Sequence, residues 1–93
     1  MSGYNLMRLA DDEIKELLKS IKSKVENKFN KQYKLFDAIA FTINNSNGIN
    51  YNTKVRIDIG KFIHVKFFQP NKNSINDIEI IDLEENKKLD HEL

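Results

Sequence analysis

The chain has 93 residues, which is enough for one domain with a single hydrophobic core. Fifteen lysine and arginine residues against fourteen aspartate and glutamate residues leave a formal charge of +1. A charge so close to zero argues against electrostatically driven binding to nucleic acid or to an anionic membrane. The absence of cysteine excludes disulfides, thiolate zinc sites and cysteine nucleophiles. With only His64 and His91 as histidines, we expect no catalytic residues, no cofactor and no metal site.

The expected compartment is the cytoplasm. Residues 1–12 lack the basic and then apolar pattern of a signal peptide, and no apolar stretch is long enough to span a membrane. A chain without cysteine fits a reducing compartment. We therefore expect a protein that acts without a membrane partner.

The first predicted element is a helix that begins at about Asp11. Its acidic residues stand at the start and its lysines crowd the end, as the helix dipole favours. Apolar residues recur at helical spacing and predict one buried stripe, formed by Ile14, Leu17, Leu18, Ile21, Val25 and Phe29. The lysines on the outer side indicate a solvated face rather than a membrane-binding helix, because the apolar stripe is narrow and acidic residues are frequent.

After residue 34 the apolar period changes to two, which predicts strands over residues 35–43, 51–59, 62–69 and 78–83. Residues 44–50 and 70–76 are polar and predict loops, residues 59–60 predict a tight turn, and residues 84–93 a charged tail. The second strand alternates between two faces: Tyr51, Thr53, Val55, Ile57 and Ile59 are predicted buried, and Asn52, Lys54, Arg56 and Asp58 exposed. The predicted fold class is α+β, with one helix packed across an antiparallel sheet of four to five strands.

Few residues suggest chemistry. Asp11, Asp12 and Glu13 are adjacent, so they point in different directions and fit a helix N-terminus better than a carboxylate pair. His64 is expected to be half exposed on the polar face of its strand. Aromatic residues on the sheet lack the basic stripe of a nucleic-acid binder, so no nucleic-acid partner is expected. In a meander the first and third turns lie at the same end, so residues 44–50 and 70–76 predict one binding edge.

Several segments resemble the stefins, the intracellular type 1 cystatins. Residues 48–56 (GINYNTKVR) are similar to the stefin stretch that follows the first hairpin loop, and residues 62–68 (FIHVKFF) to the next stefin strand. Gly3 stands where stefins carry an N-terminal glycine, and residues 90–93 (DHEL) are similar to a segment near the stefin C-terminus. The resemblance covers essentially the whole chain and implies a single cystatin-like domain, with the helix across a curved sheet.

The resemblance also implies a function. Cystatins are reversible, tight-binding inhibitors of papain-like cysteine proteases of the cathepsin type, and they occlude the protease cleft with three segments. Transferred by position, the N-terminal segment is Ser2, Gly3 and Tyr4 and the second loop is Pro70, Asn71 and Lys72. The first loop is Asn44, Asn45, Ser46, Asn47 and Gly48. A monomer is the expected state, with a domain-swapped dimer left open because stefin-like folds exchange strands.

The loops depart from the family pattern. The first loop of the family reads Gln-x-Val-x-Gly, whereas this chain has Asn44, Ser46 and Gly48 at those positions. The second loop of the family often carries Leu-Pro, where this chain has Asn71 and Lys72. Two functions therefore stay open: an inhibitor of reduced or selective affinity, and a non-inhibitory interaction module with a degenerate first loop.

Overall fold

The computed structural model describes residues 6–73 and 75–93. In chain order the elements are β1 (Arg8–Leu9), α1 (Asp12–Phe29), β2 (Asp37–Asn44), β3 (Ile49–Asp58), β4 (Lys61–Gln69) and β5 (Glu79–Lys87). A short 3₁₀ turn at Ile75–Asp77 precedes β5. Within the described residues, five strands form one antiparallel sheet in the order β1-β2-β3-β4-β5 and one α-helix is present, which confirms the α+β class.

Helix α1 begins where the sequence predicts and ends at Phe29, the last residue of the predicted apolar stripe. The Asp11 side chain accepts a 2.9 Å hydrogen bond from the backbone N–H of Ile14 and so caps the first turn. Asn30 adopts a left-handed conformation with φ 55°, and its N–H bonds back to the Glu26 carbonyl, which ends the helix. The apolar stripe faces the sheet, because Leu18 and Val25 are almost fully buried.

The core lies between α1 and one face of the sheet. Inward-facing residues of β3 and β4 such as Val55, Ile63 and Phe67 are fully buried, and Tyr51 stacks on Phe67 with ring centroids 4.7 Å apart. The predicted alternation of β3 is confirmed over most of its length, since Thr53 and Val55 face this core. Ile59 departs from it, because it lies in the turn between β3 and β4 and is 83% exposed.

The strand bounds differ from the prediction at both ends of the chain. Residues 84–87 were predicted to belong to the tail, but they extend β5 because β4 supplies them with pairing partners such as His64 for Glu84. Arg8 and Leu9, which no periodicity marked, pair with Phe41 and Ala40 of β2 as a short edge strand. The sheet accordingly has an additional strand before the helix.

The outer face of the sheet is less exposed than alternation predicts. Lys54 and His64, neighbours on β3 and β4, are only 3% and 6% exposed. The chain after β5 folds over them, and the Lys54 ammonium group donates a hydrogen bond to the Leu89 carbonyl. The predictions of an exposed Lys54 and a half-exposed His64 are therefore wrong, because the C-terminal residues shield this part of the polar face.

His64 is held in a neutral form by this environment. Burial, followed by the ammonium groups of Lys87 and Lys54, lowers the pKa of His64, and only the Glu84 carboxylate opposes the shift. Glu84 Oε1 lies 3.7 Å from Nδ1, while Nε2 is buried without a hydrogen-bond partner among the described residues. His64 thus acts as a structural residue of the sheet and lies away from the loops described next.

Candidate functional site

Two hairpin loops meet at one end of the sheet. The first connects β2 to β3 and the second follows β4, and Ile49 at the start of β3 pairs directly with Gln69 at the end of β4. This register places residues 44–48 beside residues 70–73, an arrangement that we call the loop edge. The side chains of residues 44–47 and 70–73 are exposed. The sequence prediction that both turns lie at the same end is confirmed.

The first loop has hydrogen bonds that its composition does not reveal. The Asn50 side-chain amide donates to the carbonyl of Asn44 at 3.3 Å and to that of Ser46 at 3.2 Å. Asn44 itself closes β2 by pairing with Asn50 across the hairpin. An asparagine-rich loop suggests a flexible connection, whereas these bonds tie its first half to the start of β3.

Gly48 has a conformation and a neighbour that favour glycine. Its φ is +122°, and that of Asn47 is +55°, so both residues adopt backbone conformations that most L-residues avoid. A Cβ atom at Gly48 would lie 2.5 and 2.6 Å from Cζ and Cε1 of Phe68 and 3.2 Å from the Gln69 carbonyl oxygen. The loop can therefore pack this closely on β4 only because position 48 has no side chain.

The second loop presents the only charge among the residues of the loop edge. Asn71 Oδ1 accepts a 3.0 Å hydrogen bond from the backbone N–H of Asn73, which makes a local turn at the tip. Lys72 is 74% exposed, and its Nζ lies 3.9 Å from Glu13 Oε2 at the beginning of α1. The beginning of the helix therefore lies at the same end of the molecule as the two loops.

A cavity of about 310 Å³ lies between the loop edge and the start of the helix. Asn45 and Lys72 border it from the two loops, and Asp11 and Glu13 border it from the helix. Its remaining lining comes from β1, β2, β3 and α1 and comprises Arg8, Ile14, Phe41, Ile43, Ile49 and Tyr51. Both signs of charge border the cavity, so it has no single-sign field that would select a charged ligand.

A buried polar pair supports the loops from below. The Tyr51 hydroxyl donates to Gln69 Oε1 at 3.3 Å, and Gln69 is only 1% exposed. Burial, with contributions from the Glu13 and Asp11 carboxylates, raises the pKa of Tyr51, so the hydroxyl stays protonated as a donor. This pair joins the ends of β3 and β4 immediately beneath the loop edge.

Within residues 6–73 and 75–93, no three His, Cys, Asp or Glu side chains are grouped so that they could hold a metal ion. No helix in that part of the chain is long and apolar enough to cross a membrane.

The structure brings two of the three predicted segments together. Asn44, Asn45, Ser46, Asn47 and Gly48 form one side of the loop edge, and Pro70, Asn71 and Lys72 the other. Ser2, Gly3 and Tyr4 lie outside the described residues. Sequence reasoning missed the supporting residues Asn50 and Phe68, because an asparagine or a phenylalanine on a strand gives no local signal of contact with a loop.

The chain is similar to several curated proteins along almost its whole length, although no family model matches it. Cystatin-A1 of Sus scrofa is 32% identical over 91 residues, which cover 98% of this chain and 88% of that protein. Leukocyte cysteine proteinase inhibitor 1 of Sus scrofa is 31% identical over 91 residues, with the same two coverages. Stefin-C of Bos taurus is 28% identical over 93 residues, covering all of this chain and 92% of that protein.

These similarities identify the family. The helix across an antiparallel sheet, with two hairpin loops at one end, is the architecture that the stefin resemblance implied. The chain belongs to the stefin family of cystatins. This is a family of proteinase inhibitors rather than enzymes.

Proposed function

We propose that the protein is a reversible, tight-binding inhibitor of papain-like cysteine proteases of the cathepsin type. The loop edge, together with Ser2, Gly3 and Tyr4, enters the active-site cleft and excludes substrate, and no covalent bond forms. The observation that supports this proposal is the pairing of Ile49 with Gln69, which places both hairpin loops at one end of the sheet. Membership of the stefin family supports the class of partner.

The loops have properties that suit insertion into a cleft. They are exposed, and Lys72 is the only charged residue among residues 44–48 and 70–73, so little charge has to be desolvated on binding. The bonds from Asn50 and the turn at Asn71 order parts of both loops before binding, which lowers the entropic cost of association. Steric occlusion requires no catalytic group.

The polarity of the first loop sets the expected affinity. Where the family pattern has an apolar residue, this chain exposes Ser46, and in the second loop it has Asn71 and Lys72 in place of Leu-Pro. Burying an apolar side chain of this size contributes about 1.5–3 kcal/mol. Because a tenfold change in affinity corresponds to about 1.4 kcal/mol, the loss of two such contacts weakens affinity by about two to four powers of ten. We therefore expect the affinity to be reduced or selective compared with that of family members that keep both apolar anchors.

The same exposed polar loop supports a second candidate function. A loop without an apolar anchor fits a cystatin-fold module that binds a partner other than a protease, since buried apolar anchors dominate most tight interfaces. In that case the loop edge is still an interaction surface, but papain is not its partner.

One titration separates the two functions. The protein is titrated against papain with a fluorogenic dipeptide substrate at several substrate concentrations, followed by dilution to test reversibility. The inhibitor proposal predicts competitive inhibition that dilution reverses. A K61Q control should inhibit equally, because Lys61 begins β4 beside the turn at the opposite end of the sheet. Absence of inhibition at about 10 μM of the protein would favour the interaction module. A dissociation constant weaker than this corresponds to a binding free energy less favourable than about −7 kcal/mol.

The proposal also covers the state and compartment of the inhibitor. We propose a monomer that acts in the cytoplasm. Gel filtration of the purified protein tests the first part, since a domain-swapped dimer elutes earlier, and fractionation of the native cells tests the second.

A further inference from the structure

Helix α1 contacts the chain that returns from the second loop to β5. Lys24 Nζ donates a 2.9 Å hydrogen bond to the Ile78 carbonyl and reaches the Asn76 carbonyl at 3.3 Å. A lysine ammonium group that donates to backbone carbonyls makes charge-assisted hydrogen bonds, which are stronger than those between neutral groups. One side chain of the helix therefore holds two carbonyl groups of the returning chain, those of Asn76 and Ile78.

The outgoing half of the second loop is held less firmly. Its contact with the helix is the pair of Lys72 and Glu13, 3.9 Å apart, and both side chains are about two-thirds or more exposed. Exposed ion pairs of this length contribute little, because water and salt screen them. Among the described residues, Lys24 thus provides the stronger link between the helix and the second loop.

The loop is fixed at its other end by the sheet. Gln69 ends β4 in register with Ile49 and also accepts the hydrogen bond from Tyr51. The positions of Pro70 and Lys72 are consequently set by β4 on one side and by the returning chain on the other. Ile78 is itself anchored in the core, at 4% exposed, so loss of the Lys24 hydrogen bonds would release only the chain that precedes it. The tip of the loop could then move while the sheet and the core stay intact.

We infer that Lys24 is a positioning residue that holds the second loop in the conformation presented to the protease. This inference rests on the proposed function. Lys24 does not contact the protease; it acts through the carbonyls of Asn76 and Ile78. A mobile second loop would still allow encounter, so the association rate stays nearly constant and the complex dissociates faster.

The test measures dissociation of the papain complex for wild type, K24M and K24R. Methionine keeps the length of the side chain and removes its donor, whereas arginine keeps a cationic donor. We expect K24M to dissociate about five- to thirtyfold faster, and K24R to stay within about threefold of wild type. K19M serves as a matched control, since Lys19 is another exposed lysine of the same helix, about 140° away around its axis.

A double-mutant cycle separates positioning from a general structural effect. In a variant in which Asn71 and Lys72 are both glycine, K24M should add little further acceleration, because the contacts that it positions are already lost. An equal acceleration in both backgrounds would show that Lys24 acts elsewhere and would overturn the inference. If K24M does not fold, K24Q replaces it in the same cycle.

Hydrogen exchange in the free protein tests the contact without the protease. Amides of residues 71–73 and 75–78 should exchange faster in K24M than in wild type or K24R, while those of β3 and β4 stay unchanged. If wild type inhibits papain and K24M dissociates at the wild-type rate, the inference fails and the proposed function stands. If wild type does not inhibit, the proposed function fails, and the exchange of these amides alone decides whether Lys24 orders the loop.

Discussion

The G48A variant tests the geometry of the first loop most sharply. At φ +122° an alanine is strained, and such a conformation costs about 1–3 kcal/mol in a non-glycine residue. The new Cβ would also meet the Phe68 ring at 2.5 Å, which forces that half-buried ring to move and adds an overpacking cost of about 1–3 kcal/mol. Alanine also lowers the conformational entropy of the unfolded chain, which offsets these costs by about 0.4–1 kcal/mol. We expect G48A to lower the free energy of unfolding by about 1–5.6 kcal/mol.

The matched control is G60A, in the turn between β3 and β4. Gly60 also has a positive φ, +66°, but nothing lies within 4 Å of the position of its Cβ. The free energy of unfolding of G60A should therefore fall only by the cost of the left-handed backbone conformation, about 1–2 kcal/mol before the entropy correction. Urea unfolding of both variants gives the comparison, and the melting temperature should fall by about 4–8 °C for each kcal/mol.

The Phe68 ring can be tested separately. F68L in the G48A background should recover part of the lost stability, because the atoms that the alanine meets are at the far end of the ring. F68L in the wild-type background gives the reference. Equal stability of G48A and G60A, or no recovery with F68L, would refute the close packing of the first loop on β4.

Three further predictions concern the first loop and the outer face of the sheet. S46V should tighten papain binding by about tenfold or more, because it adds an apolar side chain to the loop, and weaker binding would place this residue outside the cleft. K54M removes the donor to the Leu89 carbonyl, so amide exchange of residues 88–91 should accelerate while inhibition is unchanged; unaltered exchange would contradict the role of Lys54. The lowered pKa of His64 means that the unfolded chain binds a proton more readily than the folded one. The free energy of unfolding should therefore fall as pH drops below the unfolded pKa of about 6.5, and level off below the folded pKa. The H64Q variant should show a smaller decline, and identical pH profiles for wild type and H64Q would refute this role of His64.

Much of the core could be predicted because its signal is local. The stripe that includes Leu18 and Val25 has helical spacing, and Thr53 and Val55 alternate with polar neighbours, so each segment carries its own period. Loop positions followed from clusters of asparagine, serine and glycine. Because a meander places alternate turns at the same end, the loop edge could also be predicted before its geometry was known.

The outer face could not be predicted because its cover is distant in sequence. Lys54 and His64 occupy polar positions in an alternating pattern, yet they are buried by residues that follow β5. Alternation reports which side of a strand a residue faces, but not whether another segment lies on that side. Lysine tolerates this burial because its long stem packs while its ammonium group reaches the Leu89 carbonyl.

The supporting contacts of the loops were hidden for a similar reason. The sequence predicts Asn50 only as the last residue of a polar loop, and Lys24 only as one of the lysines near the end of the helix. Their roles depend on carbonyl groups of Ser46 and Ile78, which only the folded chain brings within reach. Side-chain to backbone bonds of this kind have no periodicity, so a single sequence does not reveal them.

The central claim is that the loop edge occupies the protease cleft. Hydrogen exchange of the complex with papain measures this directly, by comparing backbone amides in the free and the bound protein. The account predicts protection at residues 44–48 and 70–73 and unchanged exchange in the opposite turn around Gly60. Protection centred on that turn or on the outer face near His64, with the two loops unaffected, would contradict it.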